Sequence, residues 1–250
     1  MIEFQKPLLS RCPITCLAIL CIAFIFPAVA PCQQDQNSEI IRGIDASVAA
    51  RDQNVLAYTV TEHYSVFRAR DKDHPIAQMI VKTDYEQGRG KAYTILSESG
   101  SAVMRREVFG RLLDNEKAMN EPANRAKELI TSANYTMRVQ GKDNAGGRSC
   151  LIVSIMPKQN APYLFRGKIW VDAKDESIVQ LEGIASQSVS IFTGPAQISR
   201  TYANIEGFPM ATHATAASSS WLLGLTTIDI DYTGYAVKLR EAPKIASGTP

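Results

Sequence analysis

A chain of 250 residues, 45% hydrophobic and 21% charged, holds enough apolar material for one medium domain with a sizeable core and too little for a multi-span membrane protein. Its 27 lysines and arginines stand against 25 aspartates and glutamates. That balance lacks the basic excess that phosphate neutralisation requires, which argues against nucleic acid as a partner.

Lys6 and Arg11 precede an uncharged run from Cys12 to Gln34 whose apolar heart is Ile14 to Ala30. A charged, then apolar, then small order is that of an export signal, expected over residues 1–30. A helix of those 17 residues would rise ~26 Å at ~1.5 Å each, slightly short of the ~30 Å hydrocarbon core. The stretch IFPAVAPCQQ, residues 25–34, leaves three fates open, ranked in this order: release after Ala30, lipid attachment at Cys32, and a retained anchor. Release must break an Ala-Pro bond, and lipid attachment must tolerate Pro31 where a lipobox has a small residue. Cys12, Cys16 and Cys21 fall inside the signal, which leaves Cys32 and Cys150; the latter lies in the apolar run CLIVSIM and reads as a buried, inert thiol.

Residues 31–37 read as a polar linker, and Ser38 as the cap of an amphipathic helix carrying Ile40, Ile41, Ile44 and Val48 at helical spacing. From Leu56 to Arg70 the period changes to two. Leu56, Tyr58, Val60, Tyr64 and Val66 share one face, with Glu62 an exception among them. Fully extended, that segment spans ~50 Å at ~3.3 Å per residue, so it must bend around something. DKDHP (71–75) is a turn, IAQMIVKTDYE returns antiparallel, and GRGK (88–91) turns into AYTILSES.

Residues 109–133 are rich in Ala, Glu, Lys and Leu and read as a helical insert, with Pro122 in a first turn. Strands resume with YTMRVQG, SCLIVSIM, LFRGKIWVD, IVQLEGI and IFTGPAQISRTYANIEGF, and TTIDIDYTGY closes the series. About ten strands joined by hairpin-length turns make an antiparallel sheet, because parallel neighbours need longer crossovers. The expected fold is mainly β (α+β): a large curved antiparallel sheet, an incomplete β-barrel with helices packed on its concave side. It occupies residues 38–240, and 241–250 read as a disordered tail.

The chemistry of a hydrolase is absent from this pattern. There is no G-x-S-x-G elbow, and His63, His74 and His213 have no local signature. No metal-ligand spacing and no cofactor motif stand out; Asp71, Asp73 and His74 belong to a turn, and Asp229 and Asp231 to a wet strand face. More informative is ATHATAASSS, residues 211–220, a strand of small side chains where packed sheets carry bulky ones. It either meets a closely packed helix or lines an open volume deep enough for a hydrocarbon chain. In the second case Trp170, Phe192 and Trp221 would form walls or rim, beside Met210 and Leu223 that flank the run, and His213 would be a polar lumen residue.

The order of parts resembles the bacterial lipoprotein-carrier superfamily of LolA, LolB and RseB. An export signal precedes a short helix, long strands YTVTEHYSVFRA and IAQMIVKTDY, a helical insert and a C-terminal meander that includes KIWVDAKDESIVQLEGI and ISRTYANIEGFPMATHA. The resemblance covers roughly residues 38–237. It implies a half-barrel lidded by helices that holds lipid or lipoprotein acyl chains without covalent chemistry, in the periplasm or lipid-anchored at the outer membrane through Cys32. It also implies a lid arginine, for which Arg68 and Arg70 are of the right type. The RseB branch implies the alternative, a protein-interaction or envelope-stress-sensing module whose partner is an envelope membrane protein.

Overall fold

The computed structural model describes residues 31–69, 71–161, 164–186, 195–220 and 224–241, with the backbone alone for 31–34 and Ser220. Helix α1 (Pro31–Asn54) begins earlier than Ser38, so the stretch read as a linker forms its first two turns. Proline is tolerated there because the N–H it lacks has no intrahelical acceptor. Ile40, Ile41 and Val48 surround the fully buried Ile44, as their spacing predicts. Among the described residues no helix is long and apolar enough to cross a membrane.

Ten strands follow among the described residues: β1 (Val55–Arg68), β2 (Ala77–Glu86), β3 (Gly90–Gly100), β4 (Tyr135–Ala145), β5 (Arg148–Pro157), β6 (Phe165–Asp172), β7 (Ile178–Ala185), β8 (Gln197–Ile205), β9 (Phe208–Ser220) and β10 (Gly224–Leu239). They form one antiparallel sheet in the order β3-β2-β1-β10-β9-β8-β7-β6-β5-β4. Neighbours in sequence are neighbours in space except β3 and β4. The last strand pairs with the first along most of its length, and β3 and β4 end as the two edges. The sheet is therefore open, a curved and incomplete barrel. Its edge strands are joined by an insert that starts at Ala102: α2 (Ala102–Met104), a π-helical turn Arg105–Gly110, α3 (Arg111–Met119) and α4 (Pro122–Glu128).

Cross-strand partners share a face, so the registers trace a row across all ten strands: Glu98, Met79, Tyr64, Ile230, Ala214, Arg200, Leu181, Ile169, Val153 and Val139. Helix α1 packs on the β4-to-β8 end of this row, and Met104, Phe109 and Leu113 of the insert pack on the β1, β2 and β10 end. Both helical parts thus cover one face, here the helix face; the other is the open face. Full burial of a side chain such as Ile44 or Phe109 contributes about 1.5–3 kcal/mol.

Gly167 and Gly183 face each other across β6 and β7. A Cβ on Gly167 would come to 2.0 Å from the Glu182 carbonyl oxygen, so the two strands approach only because that side chain is missing. Gly167→Ala is expected to lower the unfolding free energy by about 2–3 kcal/mol, read as a lower denaturant midpoint at unchanged slope.

Candidate functional site

On the helix face the sheet and the insert enclose a polar layer. Glu116 of α3 is buried, and its Oε2 accepts hydrogen bonds from Lys91 Nζ at 2.8 Å and from the Tyr93 hydroxyl at 2.9 Å. Burial alone would raise the Glu116 carboxyl, but the Lys91 and Arg200 charges and the two hydrogen bonds outweigh it and hold the carboxyl well below its ordinary range. The Lys91 ammonium is correspondingly held above its ordinary value, chiefly by Glu116, against a burial effect in the opposite direction. Arg200 is also held in its charged form, by Tyr232, Tyr202 and Glu116 acting against burial.

Glu62 is 1% exposed on the same face. Its Oε2 accepts from the Tyr64 hydroxyl, whereas its Oε1 has no hydrogen-bond partner among the described residues. Burial, followed by Glu116 and Glu62, pushes the Tyr64 phenol far above its ordinary value. Tyr93 and Tyr232 are raised by burial too, so these phenols stay neutral donors. A stack of Tyr58 on Tyr85, with centroids 4.9 Å apart, continues the layer, and the Tyr235 hydroxyl donates to the Ala211 carbonyl at 2.9 Å.

Beside this layer a space of about 420 Å³ remains between β2, β3 and the insert. Met79 and Leu113 lie at its base, and Ile95 at its rim is 50% exposed. Arg105 and Glu98, both on its wall, form an ion pair of 3.4 Å.

The open face holds a wider concavity of about 1040 Å³ across β4 to β9. Arg138, Arg166 and Lys168 line it, as do Met156, Trp170 and Ile184. Farther along the same face, His213 Nδ1 lies 2.8 Å from Asp231 Oδ1, and His63 is the cross-strand partner of Asp231 on the other side. No group of three or more His, Cys, Asp or Glu among the described residues could hold a metal ion.

Among the described residues, the sequence-derived candidates lie at separate places. Trp170 lines the open-face concavity and donates through Nε1 to Asp143 Oδ2 at 3.0 Å. Met210 is 1% exposed and is sealed by Arg51 of α1, whose Nη2 lies 3.6 Å from its sulfur. His213 faces outward beside Asp231. Arg68 is exposed at the end of β1, with no hydrogen bond to the insert among the described residues. Phe192, Trp221, Leu223 and Arg70 lie outside the described residues, as does the side chain of Cys32. Cys150 is buried with a free thiol, which burial raises above its ordinary value.

The small side chains of β9 point to both faces of the sheet. Ala214 meets Phe109 and Leu113 of the insert on the helix face, whereas Thr215 and Ala217 line the open-face concavity. The polar layer was missed apart from Glu62, although one signal existed: Phe109, Leu113 and Glu116 recur at helical spacing, so Glu116 falls on the buried stripe.

No family model and no curated protein matches the chain. Among solved structures it is similar to a LolA superfamily protein from Nitrosomonas europaea, with a TM-score of 0.45 and 11% identity over 83% of this chain and 94% of that one. A putative outer membrane lipoprotein-sorting protein domain from Vibrio parahaemolyticus gives a TM-score of 0.43 and 10% identity over 84% and 95%. The MucA/MucB complex structure of Pseudomonas aeruginosa gives 0.27 and 11% over 78% and 93%.

Proposed function

We propose that this chain is a non-enzymatic cell-envelope protein that binds lipid or lipoprotein acyl chains between its sheet and its helical insert. The observation that carries the reading is the 420 Å³ space on the helix face, lined on its apolar part by Met79, Leu113 and the exposed Ile95. Its volume lies in the range of ligand pockets, ~300–1,000 Å³. Acyl burial drives binding at about 0.8 kcal/mol per CH₂ before ordering costs. The export signal and the resemblance in the order of parts support a periplasmic place and a role in lipoprotein transport to the outer membrane. Release after Ala30 would make a soluble carrier, and lipid attachment at Cys32 a membrane-bound receptor; the mass of the mature N-terminus distinguishes them.

The test is to extract the protein purified from envelopes and analyse the extract by mass spectrometry, alongside binding of a fluorescent fatty acid. Bound lipid is expected, and Ile95→Asp should weaken fatty acid binding about tenfold, as a charge on the rim must be desolvated. An empty protein that takes up no fatty acid would overturn the reading.

A second reading, an RseB-like interaction or envelope-stress-sensing module, is favoured by β3. It is an edge strand exposed along residues 95–100, which suits the addition of a partner strand. That reading expects a stoichiometric envelope membrane protein in a crosslinked pull-down, retained after delipidation.

A further inference from the structure

The open-face concavity carries a charge arrangement that the fold leaves unanswered. Arg138 and Lys168 lie on one cross-strand row through Ser154, which sets their backbones about 10 Å apart at ~4.8 Å per strand. Arg166 is two residues from Lys168 on the same face of β6, about 7 Å away. All three are exposed, and none makes an ion pair among the described residues. Glu182 is the one carboxylate on the wall and is the cross-strand partner of Lys168, yet its Oε1 accepts from Gln180 Nε2 at 2.8 Å. Three cations thus share the wall with a single carboxylate, an excess of positive charge that an anion relieves.

Apolar groups lie at both ends of this cluster. Ile184 is the cross-strand partner of Arg166, and Met156, 53% exposed, lies on the strand at the other side of Arg166; Trp170, two residues beyond Lys168 on β6, has its one polar group occupied by Asp143. Strands β5 to β9 are hydrogen-bonded on both sides. Only β4, at the border of the concavity, is an edge, so over the rest of it recognition falls to side chains.

We infer that this concavity is a second binding site, on the face opposite the helices, for an anionic phospholipid: its phosphate lies over Arg138, Arg166 and Lys168, within reach of Trp170, and the start of its hydrocarbon runs along Met156 and Ile184. The inference stands apart from acyl-chain binding under the insert and involves none of the same side chains.

The experiment uses the full chain carrying Trp221→Phe, which leaves Trp170 as the sole tryptophan of two. Its emission is followed against dihexanoyl phosphatidic acid below the micelle threshold, dihexanoyl phosphatidylcholine, inorganic phosphate and hexaglutamate. Saturable binding of phosphatidic acid is expected, with phosphatidylcholine at least tenfold weaker. Arg138→Glu with Lys168→Glu should weaken it about a hundredfold, from two lost contacts to a charged group, whereas Arg138→Lys should keep most of it. Fluorescent fatty acid uptake in the same samples should not change, which separates failure at this site from failure of the site under the insert. Unchanged phosphatidic acid binding in the double variant would overturn the inference, as would equal affinity for inorganic phosphate, or tighter binding of hexaglutamate, which would make this an acidic-peptide site.

Discussion

Glu116→Ala is expected to lower the unfolding free energy by about 3–5 kcal/mol, because it leaves the buried Lys91 ammonium without its counter-charge and the Tyr93 hydroxyl without its acceptor. The two side chains of the pair are only 13% and 7% exposed, so water cannot take the place of the lost carboxylate. What is costly is the broken pair and not its absence. Lys91→Met with Tyr93→Phe and Glu116→Leu, which removes the ion pair and its tyrosine donor together and leaves Arg200 to Tyr202 and Tyr232, should return to within about 1–2 kcal/mol of the natural protein. The wild-type pH profile must agree. Glu116 has a folded value below its unfolded one, so its contribution is present above the ordinary carboxylate range of ~4.3 and is lost as pH falls through the folded value. Lys91 is raised, so its contribution is present below ~10.4 and is lost as pH rises through its folded value. Denaturant melts should show the wild type losing stability in acid more steeply than the triple variant. Parallel profiles would mean that the pair contributes nothing.

The parts of this fold that the sequence made legible are those where local pattern and burial agree. Strand β2 alternates strictly between buried and less buried side chains, and Ile40, Ile41, Ile44 and Val48 describe the packed side of α1. The start of α1 was not legible, because residues 31–37 are almost wholly polar and carry no apolar period to read. The closing strand extends from Gly224 to Leu239, past both ends of TTIDIDYTGY, because β9 templates its start and β1 its end. That is a long-range effect which a local window does not contain. The same limit hid the sites. Arg166 and Lys168 visibly share a strand face, but Arg138 joins them only through the β4, β5 and β6 registers. Lys91 and Glu116 are 25 residues apart, on β3 and α3, and meet only when the insert folds back over β3.

Phe109→Ala is expected to loosen the insert by about 3–5 kcal/mol while quickening ligand entry. Phe109 is fully buried in the π-helical turn, edge-on to Tyr64 with centroids 6.0 Å apart, and with Met104 and Leu113 it forms the apolar seat of the insert on the sheet. The far end of the insert is tied separately, through Arg125 to Asp52 at 2.9 Å and Ser132 N–H to Asp45 at 2.7 Å, both on α1. Losing the seat alone therefore favours a local opening hinged at that end more than it favours global unfolding. In hydrogen exchange, amides of residues 105–119 should lose about two to three orders of magnitude of protection, while those of β5 to β7 lose much less. If the insert is the cover of the acyl-chain space, the rate of fluorescent fatty acid uptake should rise in step with that opening. Should insert and sheet lose protection together, with uptake no faster, the insert would be part of the permanent core, and acyl chains would have to enter by another route.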